Sequence, residues 1–187
     1  MKRGLDIGLS IVLLPFVVLL CLPAAVLIAL ESPGNPIFRQ VRVGRNEVPF
    51  TVFKMRTMYR DTVQAGSHEV SATQLTRFGR LFRRLKIDEL PQVFNVLLGQ
   101  MSFVGPRPCL PVQVELIEER RKRSVFDHRP GITGPAQLAG VDMSTPERLA
   151  EIDARYVAER TLAMDLRLIV QTATGGGRGD AALAERN

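Results

Sequence analysis

The sequence predicts a mixed α/β, mainly helical protein. An N-terminal re-entrant membrane helix (helix–break–helix) precedes a compact cytoplasmic domain with amphipathic interfacial helices and a short β-hairpin. Three observations carry this expectation. Residues 7–30, IGLSIVLLPFVVLLCLPAAVLIAL, contain no charged side chain but two prolines. Two short segments, IFRQVRV and PFTVFKM, flank a GRNE turn. Beyond them, apolar residues recur at helical spacing in successive stretches.

A run of roughly 18 or more apolar residues is long enough for a membrane helix. This one exceeds the roughly 15-residue core of a signal peptide and ends in ALESPGNP, so cleavage is not expected. Lys2 and Arg3 precede the run, and Arg39, Arg42 and Arg45 follow it. Positive charge marks the cytoplasmic side, and here both flanks carry it. Pro15 and Pro23 each remove a helical hydrogen bond and favour a bend. A helix that enters, bends and returns satisfies both facts; an ordinary kinked span satisfies only the prolines. The expected organisation is therefore a re-entrant membrane helix over 1–31, a domain at the cytoplasmic membrane face over 32–174 and a flexible tail over 175–187.

SPGNP (32–36) reads as the turn out of the membrane segment. Residues 60–73 are polar without periodicity and read as a mobile loop. Leu75, Phe78, Phe82 and Leu85 then recur at helical spacing, interleaved with Arg77, Arg80, Arg83, Arg84 and Lys86. Such a helix can lie on an anionic membrane surface or pack on a core with a solvated basic face. From Asp88, the positions Leu90, Val93, Phe94, Leu97 and Leu98 mark a second amphipathic helix, with Gly99 as its stop. PRP at 106–108 is a rigid loop. Residues 111–125 pass from acidic to basic, as a helix dipole favours. RPGITGPAQLAG (129–140) reads as a loop. Ser144 or Thr145 caps a helix with Pro146 in its first turn and Leu149, Ile152, Tyr156 and Val157 on its apolar face. A last helix covers about 162–173.

Composition narrows the chemistry. The 187 residues carry 25 Lys+Arg against 19 Asp+Glu, a formal net charge of +6, which favours an anionic partner. Two cysteines and two histidines, all far apart, argue against a disulfide framework or a zinc site. No Walker-type or Gly-x-Gly-x-x-Gly phosphate loop occurs.

The adjacent carboxylates Asp88 and Glu89 follow a basic run. One reading makes Asp88 a helix N-cap, with Pro91 tolerated in the first turn. The other uses the same cations: they hold Asp88 ionised, able to bind a divalent metal or attack phosphorus. Glu89 then accepts a proton or anchors a polar group. Arg107 between its prolines, Arg129 before Pro130, and Lys54 and Arg56 in FKMRTM could balance phosphate charge.

Six stretches together are more specific: KRGLDI, SPGNPIFRQVRVGRN, FKMRTM, LTRFGRLFRRLKIDELPQVFNVLLGQMSFVGPRP, RPGITGPAQLAG and MDLRLI. In this order they cover most of residues 2–170. The chain resembles the bacterial sugar transferase family, the small monotopic phosphoglycosyl transferases. The resemblance implies transfer of a sugar-1-phosphate from a UDP-sugar to a polyprenol (undecaprenyl) phosphate with release of UMP. It implies work at the cytoplasmic face of the bacterial inner membrane, beginning O-antigen, capsule, exopolysaccharide or glycoprotein glycan assembly. It makes Asp88 the nucleophile of a covalent intermediate and a ligand of assisting Mg2+, with Glu89 completing the dyad. Arg83, Lys54, Arg107, Arg129 and Gln137 are the substrate phosphate-binding positions. No nucleic-acid partner is expected, and a homo-oligomer is compatible with the reading. Two departures stand out. No serine precedes Pro15 or Pro23, where the family commonly carries Ser-Pro, and the additional N-terminal membrane helices of larger relatives are not expected. The rival from another class is a non-enzymatic, membrane-anchored basic protein binding anionic lipid or nucleic acid.

Overall fold

The computed structural model describes residues 2–60 and 74–175. Apart from Arg60 and Gly175, the loop expected over 60–73 and the tail expected over 175–187 lie outside the described residues.

Helix α1, Lys2–Glu31, is one uninterrupted element with Pro15 and Pro23 inside it. The expected helix–break–helix is therefore not drawn as a gap in the backbone. A proline deletes one intrahelical bond and can bend a helix without ending it. At about 1.5 Å per residue the helix is about 45 Å long, long and apolar enough to cross a membrane. Its buried positions, Asp6, Ser10, Val17, Ala24 and Ile28, form one narrow stripe. The remaining apolar surface is open, with Phe16, Leu19, Leu22 and Leu30 each more than half exposed.

The stripe packs on the domain along its whole length. Val17 joins Phe50, Val52, Val93, Val96, Met101 and Phe103 in the main core. Ala24 and Ile28 close a smaller cluster with Met55 and Phe82. Polar side chains fasten both ends. Asp6 accepts from Ser102 Oγ at 2.9 Å and the Phe103 amide at 3.2 Å. Arg3 donates to the Val96 and Leu97 carbonyls. At the other end, Glu31 accepts from the Arg77 and Phe78 amides and so caps the next helix.

The predicted hairpin is present: β1 (Ile37–Val43) and β2 (Pro49–Met55) pair antiparallel, Ile37 opposite Met55 and Val43 opposite Pro49. Helix α2, Arg77–Arg84, starts at Thr76, whose hydroxyl accepts from the Gly79 amide at 2.9 Å. Its expected apolar face is split. Leu75 and Phe82 are buried, with Phe82 stacked on Phe78, whereas Leu85 faces outward. Helix α3 is shorter than the periodicity suggests, Gln92–Leu97, and Gly99 at φ +78° ends it as expected. Val93 and Val96 enter the core, while Phe94 and Leu98 stay exposed.

RPGITGPAQLAG is not simply a loop, which corrects the sequence reading. Gly131–Thr133 forms β4, parallel to β3 (Ser102–Val104), and Pro135–Leu138 forms a short helix, α5, after the intervening helix α4 (Val114–Lys122). Local composition hides this because the strand exists only through its distant partner. The glycines permit the contact: a Cβ at Gly131 would lie 2.1 Å from the Gly105 nitrogen. Helix α6 is Pro146–Glu159 and α7 is Leu162–Ala173. The α6 start follows expectation, with Thr145 at the N-cap position and Pro146 at the first helical position. Leu116, Leu149 and Ala150 join α4 and α6 in a second core with Cys109 and Phe126.

Candidate active site

The path from α2 to α3 decides the acidic pair. Lys86 adopts a left-handed conformation, φ +56°. The chain then makes a single 3-10 turn over Ile87–Glu89 before α3 starts after Pro91. The N-cap reading of Asp88 is thereby corrected. Lys86 and Pro91 occupy the cap positions, and neither makes a side-chain cap bond. Asp88 is instead a carboxylate only 5 % exposed, inside a tight turn. Burying such a group is costly unless polar partners compensate.

Glu89 gathers cations from two other elements. Lys54 Nζ, on β2, and Arg107 Nη2, in the PRP loop, each reach the same oxygen, Oε1, at 3.1 Å. All three side chains are between 17 % and 27 % exposed, so the cluster sits at the surface rather than sealed beneath it. Burial alone would push the Glu89 carboxyl up; Lys54 and Arg107 outweigh it and hold the group down at about 2. Glu89 is thus ionised at any physiological pH. Lys54 and Arg107 thus stand as two positive side chains at the turn that carries Asp88, which suits a diphosphate.

The other sequence candidates are engaged nearby or elsewhere. Arg83, at the end of α2, donates from Nε to Thr57 Oγ1 at 2.9 Å. Arg56 donates to the Ser32 and Pro33 carbonyls and holds the exit of α1. Arg129 donates from Nε to the Gly99 carbonyl at 2.7 Å, at the opposite end of α3 from the dyad. Gln137 donates from Nε2 to the Ile132 carbonyl at 3.0 Å, with its buried Oε1 beside Gly134. The structure thus brings Lys54, Glu89 and Arg107 together and gives Arg129 and Gln137 structural bonds.

Three supports escaped the sequence reading. Asp6 ties α1 to β3. Asp165, only 2 % exposed, accepts from Tyr156 Oη at 2.6 Å and from Lys2 Nζ. Burial and the Asp165 carboxylate both push the Tyr156 phenol up, so it stays a donor. Arg120 and Asp153, each 1 % exposed, pair between α4 and α6. Only an acidic residue in an otherwise apolar neighbourhood, as in KRGLDI, offered a hint of these.

Among the described residues no three His, Cys, Asp or Glu side chains cluster as a protein-only metal centre would. Magnesium takes one or two carboxylates plus substrate phosphate oxygens. The oxygen donors of the Asp88-Glu89 turn fit that requirement.

The family model described as bacterial sugar transferase matches residues 1–177. A UDP-N-acetylgalactosamine-undecaprenyl-phosphate N-acetylgalactosaminephosphotransferase of Aeromonas hydrophila is 37 % identical over 178 residues, 91 % of this chain and 42 % of its own. An uncharacterized sugar transferase, EpsL, of Bacillus subtilis is 39 % identical, covering 92 % of this chain and 85 % of its own. A UDP-glucose:undecaprenyl-phosphate glucose-1-phosphate transferase of Caulobacter vibrioides is 37 % identical, covering 91 % and 67 %. The chain therefore spans less than half of the Aeromonas relative. With a family match over nearly the whole chain, the protein belongs to the bacterial sugar transferase family.

Proposed function

We propose that the protein transfers a sugar-1-phosphate from a UDP-sugar to undecaprenyl phosphate and releases UMP. The observation that carries this reading is the convergence of Lys54 and Arg107 on Glu89, beside the buried Asp88. The names of the Aeromonas and Caulobacter relatives support the substrate classes.

Asp88 is the nucleophile. Its carboxylate oxygen attacks the sugar-linked phosphorus. The bond from that phosphorus to the bridging oxygen breaks, and the electron pair leaves with UMP. An oxygen of the polyprenol phosphate then attacks the same phosphorus, breaks the aspartyl O–P bond and regenerates the carboxylate. Lys54 and Arg107 balance charge on the transferring group, where cations act most strongly. Glu89 holds both cations in place before the diphosphate arrives. Asp88 would hold magnesium together with the phosphate oxygens. Bound there, the ion supplies further neutralisation of the diphosphate.

The protein works from the cytoplasmic face of the inner membrane, with α1 re-entrant. Support comes from its two ends. Lys2, Arg3 and Asp6 bond to the same domain as Glu31. A straight span would carry one end about 30 Å away, across the hydrocarbon. The test is incubation of the full chain in nanodiscs with UDP-glucose or UDP-N-acetylgalactosamine, undecaprenyl phosphate and Mg2+. UMP should appear in step with lipid-linked product; release of UDP instead would replace this reading with simple glycosyl transfer.

A further inference from the structure

The PRP loop is held by its backbone, and two of its three holders are buried arginines. Both prolines lack an N–H, so residues 106–108 offer three carbonyls and only one amide donor. Each carbonyl is taken from outside the loop. Pro106 O accepts from the Gly131 amide at 2.9 Å. Arg107 O accepts from Arg120 Nη1 at 2.8 Å, and Pro108 O accepts from Arg42 Nη1 at 3.0 Å.

The two guanidiniums are themselves fixed. Arg120 donates from Nε at 3.0 Å and Nη2 at 2.6 Å to Asp153 Oδ2. Arg42, 8 % exposed on β1, donates from Nε at 3.1 Å and Nη2 at 2.5 Å to Gln40 Oε1. One arginine thus comes from α4, backed by α6, and the other from the hairpin. Buried guanidiniums are a poor device for stability, since apolar residues of similar volume commonly do as well or better. They are a good device for geometry, because the planar fork fixes direction as well as distance.

We propose that Arg120, oriented by Asp153, and Arg42, oriented by Gln40, are positioning residues that aim Arg107. They hold the carbonyls of Arg107 and Pro108 on the domain side, while the Arg107 side chain extends to Glu89. The inference rests on the phosphate-binding role proposed for Arg107.

The test uses Arg120→Lys in the full chain, which keeps a charge beside Asp153 but loses the fork. Hydrogen exchange of the 103–110 peptide should quicken while exchange in α7 is unchanged. UMP release from UDP-glucose or UDP-N-acetylgalactosamine should fall in kcat by about 10- to 100-fold, with KM nearly constant, as for a misaimed catalytic group. In an Arg107→Ala background the same substitution should cost less than about twofold, because the two act as one unit. A merely structural Arg120 would instead lower stability and give additive losses, which overturns the proposal and leaves the role of Arg107 standing. Normal turnover in Arg107→Ala alone would remove that role, and the aiming with it. Should Arg120→Lys not fold, Arg42→Lys carries the same measurements. Unchanged exchange over 103–110 in the variant tested overturns the proposal whatever the activity.

Discussion

Lys2 and Asp165, 163 positions apart, form an ion pair at 2.5 Å. The aspartate is nearly sealed, its side chain 3 % exposed, and Tyr156 donates to its other oxygen. The first turn of a helix apolar enough for a bilayer is thereby fastened to α7.

The first prediction concerns topology. In cysteine-free protein, Gly4→Cys and Val112→Cys should react with a membrane-impermeant thiol reagent from the same side of oriented vesicles. Both positions tolerate the change: a Cβ at Gly4 meets nothing within 4 Å, and Val112 is 80 % exposed. Labelling from opposite sides would establish a spanning helix and end the re-entrant reading.

The nucleophile is testable chemically. Asp88→Asn should fold, since the amide is nearly isosteric and keeps an acceptor oxygen, yet lose turnover entirely. Wild-type protein given a phosphate-labelled UDP-sugar and Mg2+ without polyprenol phosphate should retain label on the peptide containing residue 88. Hydroxylamine should remove it, as it cleaves acyl phosphates. A well-folded and active Asp88→Asn protein would exclude the covalent route.

Arg107→Ala should lower kcat by about 10²–10³-fold, the usual loss of one donor to developing charge. The stability cost should stay below about 1 kcal/mol, because the ion pair to Glu89 is partly solvated. Comparing thermal midpoints with turnover separates the two quantities; a large midpoint drop with unchanged kcat would make Arg107 a structural residue.

The Lys54–Glu89 contact sets a pH dependence. Glu89 is held at about 2, below its ordinary 4.5. A depressed carboxyl contributes stability fully above the unfolded value, and that contribution is lost as pH falls through the folded one. Between pH 4.5 and about 2, Glu89 therefore still contributes in the wild type. Lys54→Met removes one of its two cations and raises the folded value. Its thermal midpoint should then lie lower at pH 7 and fall less than the wild type's on titration from pH 7 to pH 3, because the window between the folded and unfolded values narrows. Superimposable profiles would show that Lys54 does not govern Glu89.

Much of the architecture is legible locally. A charge-free run, a turn between two short alternating segments, and Thr145-Pro146 ahead of an apolar stripe report α1, the hairpin and α6, because period and punctuation are properties of neighbouring residues. The identities of Asp88, Glu89, Lys54 and Arg107 are equally visible, as residue types able to manage phosphate. What Asp88 does not do is another matter. Cap and buried carboxylate share one sequence, and the left-handed Lys86 with its 3-10 turn decides between them. That backbone choice depends on how α2 packs against the turn, which no local pattern encodes.

Arg120 shows the same division more sharply. In ERRKR it reads as one more solvated cation near a helix end, and Asp153 as one acid among several on α6. The fold alone puts them 2.6 Å apart, out of water, with the carbonyl of Arg107 on a third nitrogen. Which groups carry charge, and where the hairpin and most helices lie, can be read along the chain, whereas β4 and α5 cannot. The tertiary structure decided which charges lose their water, and so which of them hold a backbone in place, because desolvation depends on everything packed around a side chain rather than on its neighbours in the chain.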